Sequence, residues 1–316
     1  MNTLTKIKLD YPSHQYQNTL SKHFLEDHLS MTNSVTLTFS CPDRPYISAS
    51  VFSFFADEGY NILESSQHED ATSKQFFMRT VFSPLANAKL SIDKLRERFA
   101  LIAEKFEMDW RIRENKYKPK VLIAVTKGNH CLAKLLNSWE RGVLNVDIVG
   151  IVSNHEHLRE LTEWYKLPYH YFPITKETKP QQEAQILQTM KDTDAELLVL
   201  ARYMQVLSDD MCQQLQGRAI NIHHSFLPGF KGAKPYHQAF ERGVKLIGAT
   251  AHFVTPDLDE GPIIEQAVER ISHANQAEEL AEIGRDVESI VLHRAVKWYS
   301  EDRVLLNDKR TVVFRR

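Results

Sequence analysis

The chain has 316 residues, of which 42% are hydrophobic and 25% charged, and this composition is typical of a globular protein with two domains rather than one. The 39 lysines and arginines against 41 aspartates and glutamates leave a formal net charge of −2, which predicts no capture of nucleic acid by charge. No segment approaches the roughly 20 apolar residues of a membrane span, and no signal peptide is evident. We therefore expect a cytoplasmic protein that acts on small molecules.

The first structured region is predicted to start at Ser34, because residues 1–33 are polar, weakly patterned and assigned no function. SVTLTFS alternates as a half-buried strand does, and CPDRP indicates a turn into a helix that places Ile47, Val51 and Phe55 on one face before Gly59 ends it. NILESSQHED and QFFMRTVFS then predict a hairpin, followed by a helix near 90–106 and a strand at MDWRIR. The order βαββαβ predicts an α+β domain over 34–113.

A charged segment over 114–119, which ends in Pro119, predicts a linker. In the region 120–316, the apolar runs VLIAV, VDIVGIV, ELLVL and RAINIH alternate with amphipathic segments, as in a mostly parallel sheet with helices on both faces. KLIGATAHFVT and GPIIEQAVERI predict an antiparallel extension of that sheet. A long final helix is expected to pack through Leu280, Ile283, Val287, Ile290 and Trp298.

The turn after the first strand of this second domain, VLIAVTKGNHCL, contains neither GxGxxG nor GxxxxGK[ST], which argues against a dinucleotide or nucleoside triphosphate. His130 and Cys131 suggest a nucleophilic pair, but neighbouring residues at a helix start point apart and no third orienting group is evident. A structural thiol is therefore favoured at Cys131.

The three cysteines, Cys41, Cys131 and Cys212, are odd in number and lack CxxC spacing, so we expect reduced thiols.

The segment NIHHSFLPGFKGAKPYH begins at the carboxyl end of a predicted strand, where α/β proteins bind ligands. Strand alternation places Asn221 and His223 on one face and His224 on the other, so only one of the paired histidines is expected to face a substrate. An amide donor and a protonated imidazole would together stabilise an oxyanion. The alternative is a polar strand end whose groups are satisfied by loop backbone.

A turn-rich acidic loop, AHFVTPDLDEGPII, follows and supplies Asp257, Asp259 and Glu260 as candidate acid/base partners for the imidazole. With His252 nearby a metal site is an alternative, but no HExxH or similar ligand spacing is present and none is predicted.

These two motifs resemble those of the formyltetrahydrofolate deformylase family, in which a formyltransferase-fold catalytic domain follows an ACT domain; HCL at 130, IVSNH at 151 and LARYMQVL at 200 match as well. The resemblance implies Asn221, His223 and Asp259 as catalytic residues. It also implies a folate as substrate, with no metal and no other cofactor. The implied substrate-binding residues are Met204, Gln205, Val206, Leu207, His252 and Val254, with ordinary core packing as the alternative for Met204 and Leu207.

The resemblance of residues 34–113 to an ACT domain implies an amino-acid effector and a homo-oligomer, either a dimer or a tetramer. Tyr46 stands where such domains usually have a glycine, so its side chain is expected to fill the ligand space and weaken any effector response. A second departure, at Thr126 and Lys134 in the loop after the first catalytic-domain strand, does not involve the three catalytic positions.

The function that the resemblance implies is hydrolysis of 10-formyltetrahydrofolate to formate and tetrahydrofolate, which would supply formate for purine biosynthesis and balance the one-carbon folate pools. The nearest alternative is formyl transfer to an amine such as glycinamide ribonucleotide, for which family relatives carry a phosphate-binding GxGSN loop that this chain lacks. A third alternative, an amino-acid-responsive binding protein with a disabled catalytic domain, conflicts with the intact catalytic triad.

Overall fold

A computed structural model describes residues 34–86, 88, 91–225, 227 and 235–315 of the chain. The predicted extension 1–33 and most of the FLPGFKGAK segment lie outside the described residues. The chain divides into two compact units, with 34–69 and 74–117 in one and 70–73 and 118–315 in the other. The division at 117/118 falls inside the segment predicted as a linker.

The N-terminal unit has the predicted order βαββαβ and forms a four-stranded sheet in the order β2-β3-β1-β4. Strand β1 pairs antiparallel with both β3 and β4. The two helices place apolar residues three or four positions apart against the sheet, and the Phe55 ring stacks on Phe82 at 3.7 Å. The elements are β1 (Val35–Pro42), α1 (Ile47–Asp57), β2 (Tyr60–Asp70), β3 (Gln75–Pro84), α2 (Ile92–Phe106) and β4 (Asp109–Glu114).

Tyr46 immediately precedes α1 with a φ of 73°, in the left-handed region that glycine adopts without strain. Tyr46 is 79% exposed within this unit, and its occupation of a ligand space stays a prediction.

The C-terminal unit is built on a seven-stranded sheet in the order β11-β10-β9-β8-β5-β6-β7. Strands β9, β8, β5, β6 and β7 are parallel, whereas β10 and β11 are antiparallel to their neighbours. The elements are β5 (Lys120–Val125), α3 (His130–Glu140), β6 (Asp147–Ser153), α4 (Arg159–Trp164), β7 (Tyr169–Tyr171), α5 (Lys179–Asp192), β8 (Leu197–Leu200), α6 (Asp209–Gln214), β9 (Ala219–His223), α7 (Pro235–Glu241), β10 (Leu246–Phe253), β11 (Ile263–Arg270), α8 (Ala277–Ser300), β12 (Val304–Asn307) and β13 (Arg310–Val313).

Alternate residues of the central strand β5 enter different cores, one on each face of the sheet. Ile123 packs in the cluster that contains Leu135 of α3 and Val291 of α8, while Leu122 packs in the cluster that contains Ile186 of α5. Burial on both faces is the reason why β5 is a continuous apolar run rather than an alternating one.

Three features of the C-terminal unit differ from the prediction. The three-residue strand β7 and the hairpin β12–β13 were not predicted. Ile290, expected in the core face of α8, is 40% exposed, while Leu280 and Val287 are buried as predicted.

None of the described helices combines the length and the apolar character that a bilayer span requires.

Candidate active site

The candidate site is built on the pairing of β9 with its two neighbours. Asn221 lies opposite Leu200, the last residue of parallel strand β8, and β9 continues two residues further to His223. On the other side, antiparallel β10 places His252 opposite Asn221 and Thr250 opposite His223. Because side chains alternate along a strand, Asn221 and His223 share one face, as predicted.

Asp259 completes the predicted triad from the loop between β10 and β11. Its Oδ2 lies 3.1 Å from Nδ1 of His223, and its Oδ1 lies 3.5 Å from Nδ2 of Asn221 and 3.6 Å from Nε2 of His252. Burial alone would raise the pKa of Asp259, but hydrogen bonds from the two histidines outweigh it and hold that pKa well below its ordinary value. Asp259 is therefore an anion at neutral pH.

Two backbone features aim the Asp259 side chain at the histidines. Asp259 itself has a φ of 57°, in the left-handed region that aspartate and asparagine tolerate better than most residues. Two residues later, a Cβ on Gly261 would lie 1.8 Å from the carbonyl oxygen of Phe253, so only glycine fits there. Gly261 is thus a geometric requirement of the loop, and aspartate at 259 tolerates the conformation that the loop imposes.

Hydrogen bonding fixes the orientation of the groups around the triad. Nδ1 of His252 lies 2.8 Å from the Phe253 carbonyl oxygen, which can only accept, so Nδ1 carries a proton. Nε2 of His252 then faces Nδ2 of Asn221 at 3.3 Å. Both contacts of the Asn221 amide are long, so its donor hydrogens are available to a substrate oxygen. Nε2 of His223 contacts Oγ of Ser225 at 2.8 Å.

The triad opens onto a cleft of about 380 Å³, and all six predicted substrate-binding residues line it. Met204 and Val206 are each 56% exposed, which excludes the alternative that Met204 belongs to the core. Leu207 is buried and packs in a core cluster, but it also reaches the cleft wall. Oγ1 of Thr126 accepts a hydrogen bond from the Met204 backbone N–H at 2.9 Å and so holds this wall.

The acidic loop supplied two further candidates that the structure keeps away from the triad. Asp257 and Glu260 are exposed, and neither lines the cleft. The expectation that only one of the paired histidines faces the substrate is wrong, since His224 lines the cleft beside His223. Strand β9 ends at His223, so the alternation that predicted the opposite orientation no longer applies at His224.

A buried carboxylate that sequence reasoning missed lies close to the cleft. Glu288 of α8, 1% exposed, lies 2.8 Å from Nε2 of His130 and 3.2 Å from Nε of Arg202, and it accepts a hydrogen bond of 2.5 Å from the Tyr236 hydroxyl. We call these four residues the Glu288 cluster. They come from α3, α7, α8 and the loop after β8, and no local motif predicts such a convergence. Glu288 is the orienting group for His130 that was not evident in the sequence.

Among the described residues, one set of metal-ligating atoms lies close together, those of His130, Cys131 and Glu288 within 4.8 Å of one another. The set fits a metal poorly. Arg202 already balances the carboxylate charge, and burial raises the pKa of the Cys131 thiol well above its ordinary value, so the sulfur stays protonated. Cys131 is fully buried, in agreement with a structural thiol.

Comparison with known proteins identifies the family of each unit. The family model described as formyl transferase matches residues 119–296, and the ACT domain model matches 35–83. Fold and site together therefore define a formyltransferase-fold protein with an N-terminal ACT domain, as predicted.

Individual relatives show which formyltransferase-fold family the chain belongs to. The formyltetrahydrofolate deformylase of Corynebacterium sp. is 49% identical over 88% of this chain and 97% of its own length. Crystal structures of formyltetrahydrofolate deformylases from Burkholderia mallei and Pseudomonas syringae are 54% and 44% identical, with TM-scores of 0.86 and 0.88. They cover 90% and 94% of this chain and each is matched over 100% of its length. The chain belongs to the formyltetrahydrofolate deformylase family.

Proposed function

We propose that this protein hydrolyses 10-formyltetrahydrofolate to formate and tetrahydrofolate, with Asn221, His223 and Asp259 as its catalytic residues. The observation that carries the proposal is the 3.1 Å contact between Asp259 and His223 in a cleft that also presents the Asn221 amide. The family of the chain supports the substrate, because its relatives are deformylases of formyltetrahydrofolate. Met204, Gln205, Val206, Leu207 and Val254 offer the wall against which the folate rings would pack.

In the proposed reaction, the oxygen of a water molecule attacks the formyl carbon while Asp259 accepts one of the water protons. Negative charge develops on the formyl oxygen, where the Asn221 amide donates a hydrogen bond and the His223 imidazolium supplies positive charge. Collapse of this intermediate breaks the bond to N10 of the folate. The proton held by Asp259 then passes to that nitrogen, so tetrahydrofolate and formic acid leave, and the formic acid releases its proton to solvent as formate.

The lowered pKa of Asp259 affects both its interaction with His223 and its strength as a base. The carboxylate stays charged at neutral pH and accepts a hydrogen bond from Nδ1 of His223, which holds that ring in place. The same low pKa makes Asp259 a weak base, so proton transfer must accompany formation of the carbon–oxygen bond rather than precede it.

The proposal includes no metal and no other cofactor, and treatment with a chelator should leave turnover unchanged. Formyl transfer to an amine is not favoured, because the curated relatives are deformylases. We further propose that the formate supplies purine biosynthesis and that the reaction balances the one-carbon folate pools. An amino-acid effector at the ACT domain, a homo-oligomer and a cytoplasmic location stay predictions.

The direct test is to incubate the pure protein with 10-formyltetrahydrofolate, without any amine acceptor, and to measure formate and tetrahydrofolate. We expect equal amounts of the two products. Asn221→Ala should lower turnover about 10²–10³-fold, which is the usual loss for one oxyanion donor. Formate release that requires an added amine, or no release at all, would contradict the proposed function.

A further inference from the structure

We propose that His224 is a further catalytic residue that holds the attacking water in the cleft, and that the Glu288 cluster keeps its imidazole in place. The inference rests on the proposed function, since it assigns a residue to the hydrolytic step. It concerns the second of the paired histidines, which is outside the triad of Asn221, His223 and Asp259.

The first observation is the position of His224. The residue lines the same cleft as the triad, and the centroid of its ring lies 4.9 Å from that of His223 with the rings inclined at 41°. In the part of the chain that the structure describes, neither ring nitrogen of His224 has a hydrogen-bond partner. An imidazole without a partner at the wall of a reaction cleft is available to bind a water molecule or a substrate atom.

The second observation is the charge state of the ring. Burial lowers the pKa of His224 to about 4, and the positive charges of Arg202 and His223 lower it further than the carboxylates of Glu288 and Asp259 raise it. At neutral pH one nitrogen of His224 therefore carries a lone pair. The two adjacent imidazoles are suited to different tasks, with His223 stabilising negative charge and His224 accepting a hydrogen bond.

The third observation is the support behind the ring. Tyr236 lies against His224 with a centroid distance of 6.4 Å, and its hydroxyl donates to the buried Glu288 carboxylate. Glu288 also holds Arg202, which itself lines the cleft. The Glu288 cluster therefore holds Tyr236, which packs against His224, and Arg202, which lines the same cleft, and Glu288 and Tyr236 act as positioning residues.

These roles account for both hydrogens of the attacking water molecule. One hydrogen of the water is donated to the free nitrogen of His224 and the other to Asp259, which leaves an oxygen lone pair directed at the formyl carbon. Only Asp259 takes a proton, and His224 is unchanged at the end of the step. Holding a nucleophile in this way is a positional effect, so it acts on turnover rather than on substrate binding.

The test compares His224→Ala with the wild type, using 10-formyltetrahydrofolate alone and with added hydroxylamine. Hydroxylamine takes the formyl group as formohydroxamate and releases tetrahydrofolate. We expect kcat for hydrolysis to fall about 10²-fold with KM changed less than about twofold. His224→Ala removes the group that positions water but none that positions hydroxylamine, so the ratio of formohydroxamate to formate should rise at least about tenfold. An unchanged ratio, with both products lowered together, would overturn the inference.

Controls separate this inference from the proposed function and from loss of folding. If the wild type releases no formate, the proposed function fails. If the wild type is active and His224→Ala keeps its kcat, only the role of His224 fails. His293→Ala removes another imidazole of lowered pKa from the same unit and should leave the product ratio unchanged. If His224→Ala does not fold, His224→Gln and His224→Asn are used instead, because each places an amide oxygen acceptor near the position of one ring nitrogen. If neither variant hydrolyses the substrate, the inference is contradicted.

The positioning role of Glu288 is tested by a double-mutant cycle. Glu288→Gln should lower kcat about tenfold, a loss common when an outer partner of a functional group is removed. In the His224→Ala background the same substitution should have little further effect on kcat, because Glu288 acts through that ring. Equal effects of Glu288→Gln in both backgrounds would show that it does not act through His224.

Discussion

Replacement of Asp259 by asparagine removes one negative charge from the candidate active site with little other change. Asparagine has the same size, keeps an oxygen that accepts a hydrogen bond from Nδ1 of His223, and adopts the left-handed conformation of Asp259 as readily as aspartate. The close packing of Gly261 against Phe253, which shapes the loop, is unaffected. The substitution therefore tests the charge and the basicity of residue 259 rather than its shape.

The expected loss has two sources. General-base assistance contributes about 10²–10⁴-fold to turnover. The hydrogen bond between the Asp259 carboxylate and His223, 3.1 Å long, contributes about 1.5–3 kcal/mol, or roughly 10–10²-fold, to holding the imidazole in place. The two effects share one carboxylate and are coupled, so they do not simply multiply. We expect turnover of Asp259→Asn to fall about 10⁴-fold, with folate affinity nearly unchanged.

The assay is single-turnover release of formate, together with equilibrium binding of a non-hydrolysable folate. Asp257→Asn is the matched control, because it makes the same chemical change in the same loop at an exposed residue that does not line the cleft. It should reduce turnover less than about twofold, as is usual for surface substitutions. The reasoning is refuted if Asp259→Asn keeps more than about a tenth of wild-type turnover, or if Asp257→Asn is the more damaging substitution.

Three further substitutions test other features of the structure. Gly261→Ala would bring a Cβ within 1.8 Å of the Phe253 carbonyl oxygen, so it should destabilise the C-terminal unit by about 3 kcal/mol and impair turnover, as measured by urea unfolding and formate release. Tyr46→Gly should stabilise the N-terminal unit by about 1 kcal/mol in the same unfolding experiment, because it relieves a left-handed tyrosine; a loss of stability would contradict this. Burial lowers the pKa of His293 to about 4, so between pH 4 and 6.5 the unfolded chain binds more protons than the folded one and the free energy of unfolding should rise with pH. His293→Leu should reduce the slope of the free energy of unfolding against pH by the equivalent of about one proton. An unchanged slope would refute the lowered pKa of His293.

Local patterns were sufficient to predict most of the framework. The alternation of Ser34–Ser40, the helical spacing of Val51 and Phe55, and the unbroken apolar run of β5 each report the surroundings of their own element. Strand β7 has only three residues, too few for a period to show, and the exposure of Ile290 depends on which neighbours α8 meets. Such details depend on tertiary contacts that a single sequence does not display.

The same distinction applies to the candidate site. Asn221 and His223 lie two residues apart on one strand, so alternation alone predicts their common face. His224 follows the end of the strand, where alternation no longer applies, and it lines the same cleft as His223. Glu288 is 158 residues from His130 in the chain, and its convergence with Arg202 and Tyr236 exists only after the sheet and α8 have assembled.

The burial of all three cysteines provides the chain with built-in reporters of local opening. Cys41 lies in the N-terminal unit, whereas Cys131 and Cys212 lie in the C-terminal unit. Cys212 lines the candidate active-site cleft, so Cys41 and Cys131 are the direct reporters. A thiol reagent can modify their sulfurs only when the surrounding structure opens, so the rate of labelling at each of them measures the opening of its own unit. Mass spectrometry of labelled peptides would thus follow the stability of the two units separately in one sample, without an introduced probe.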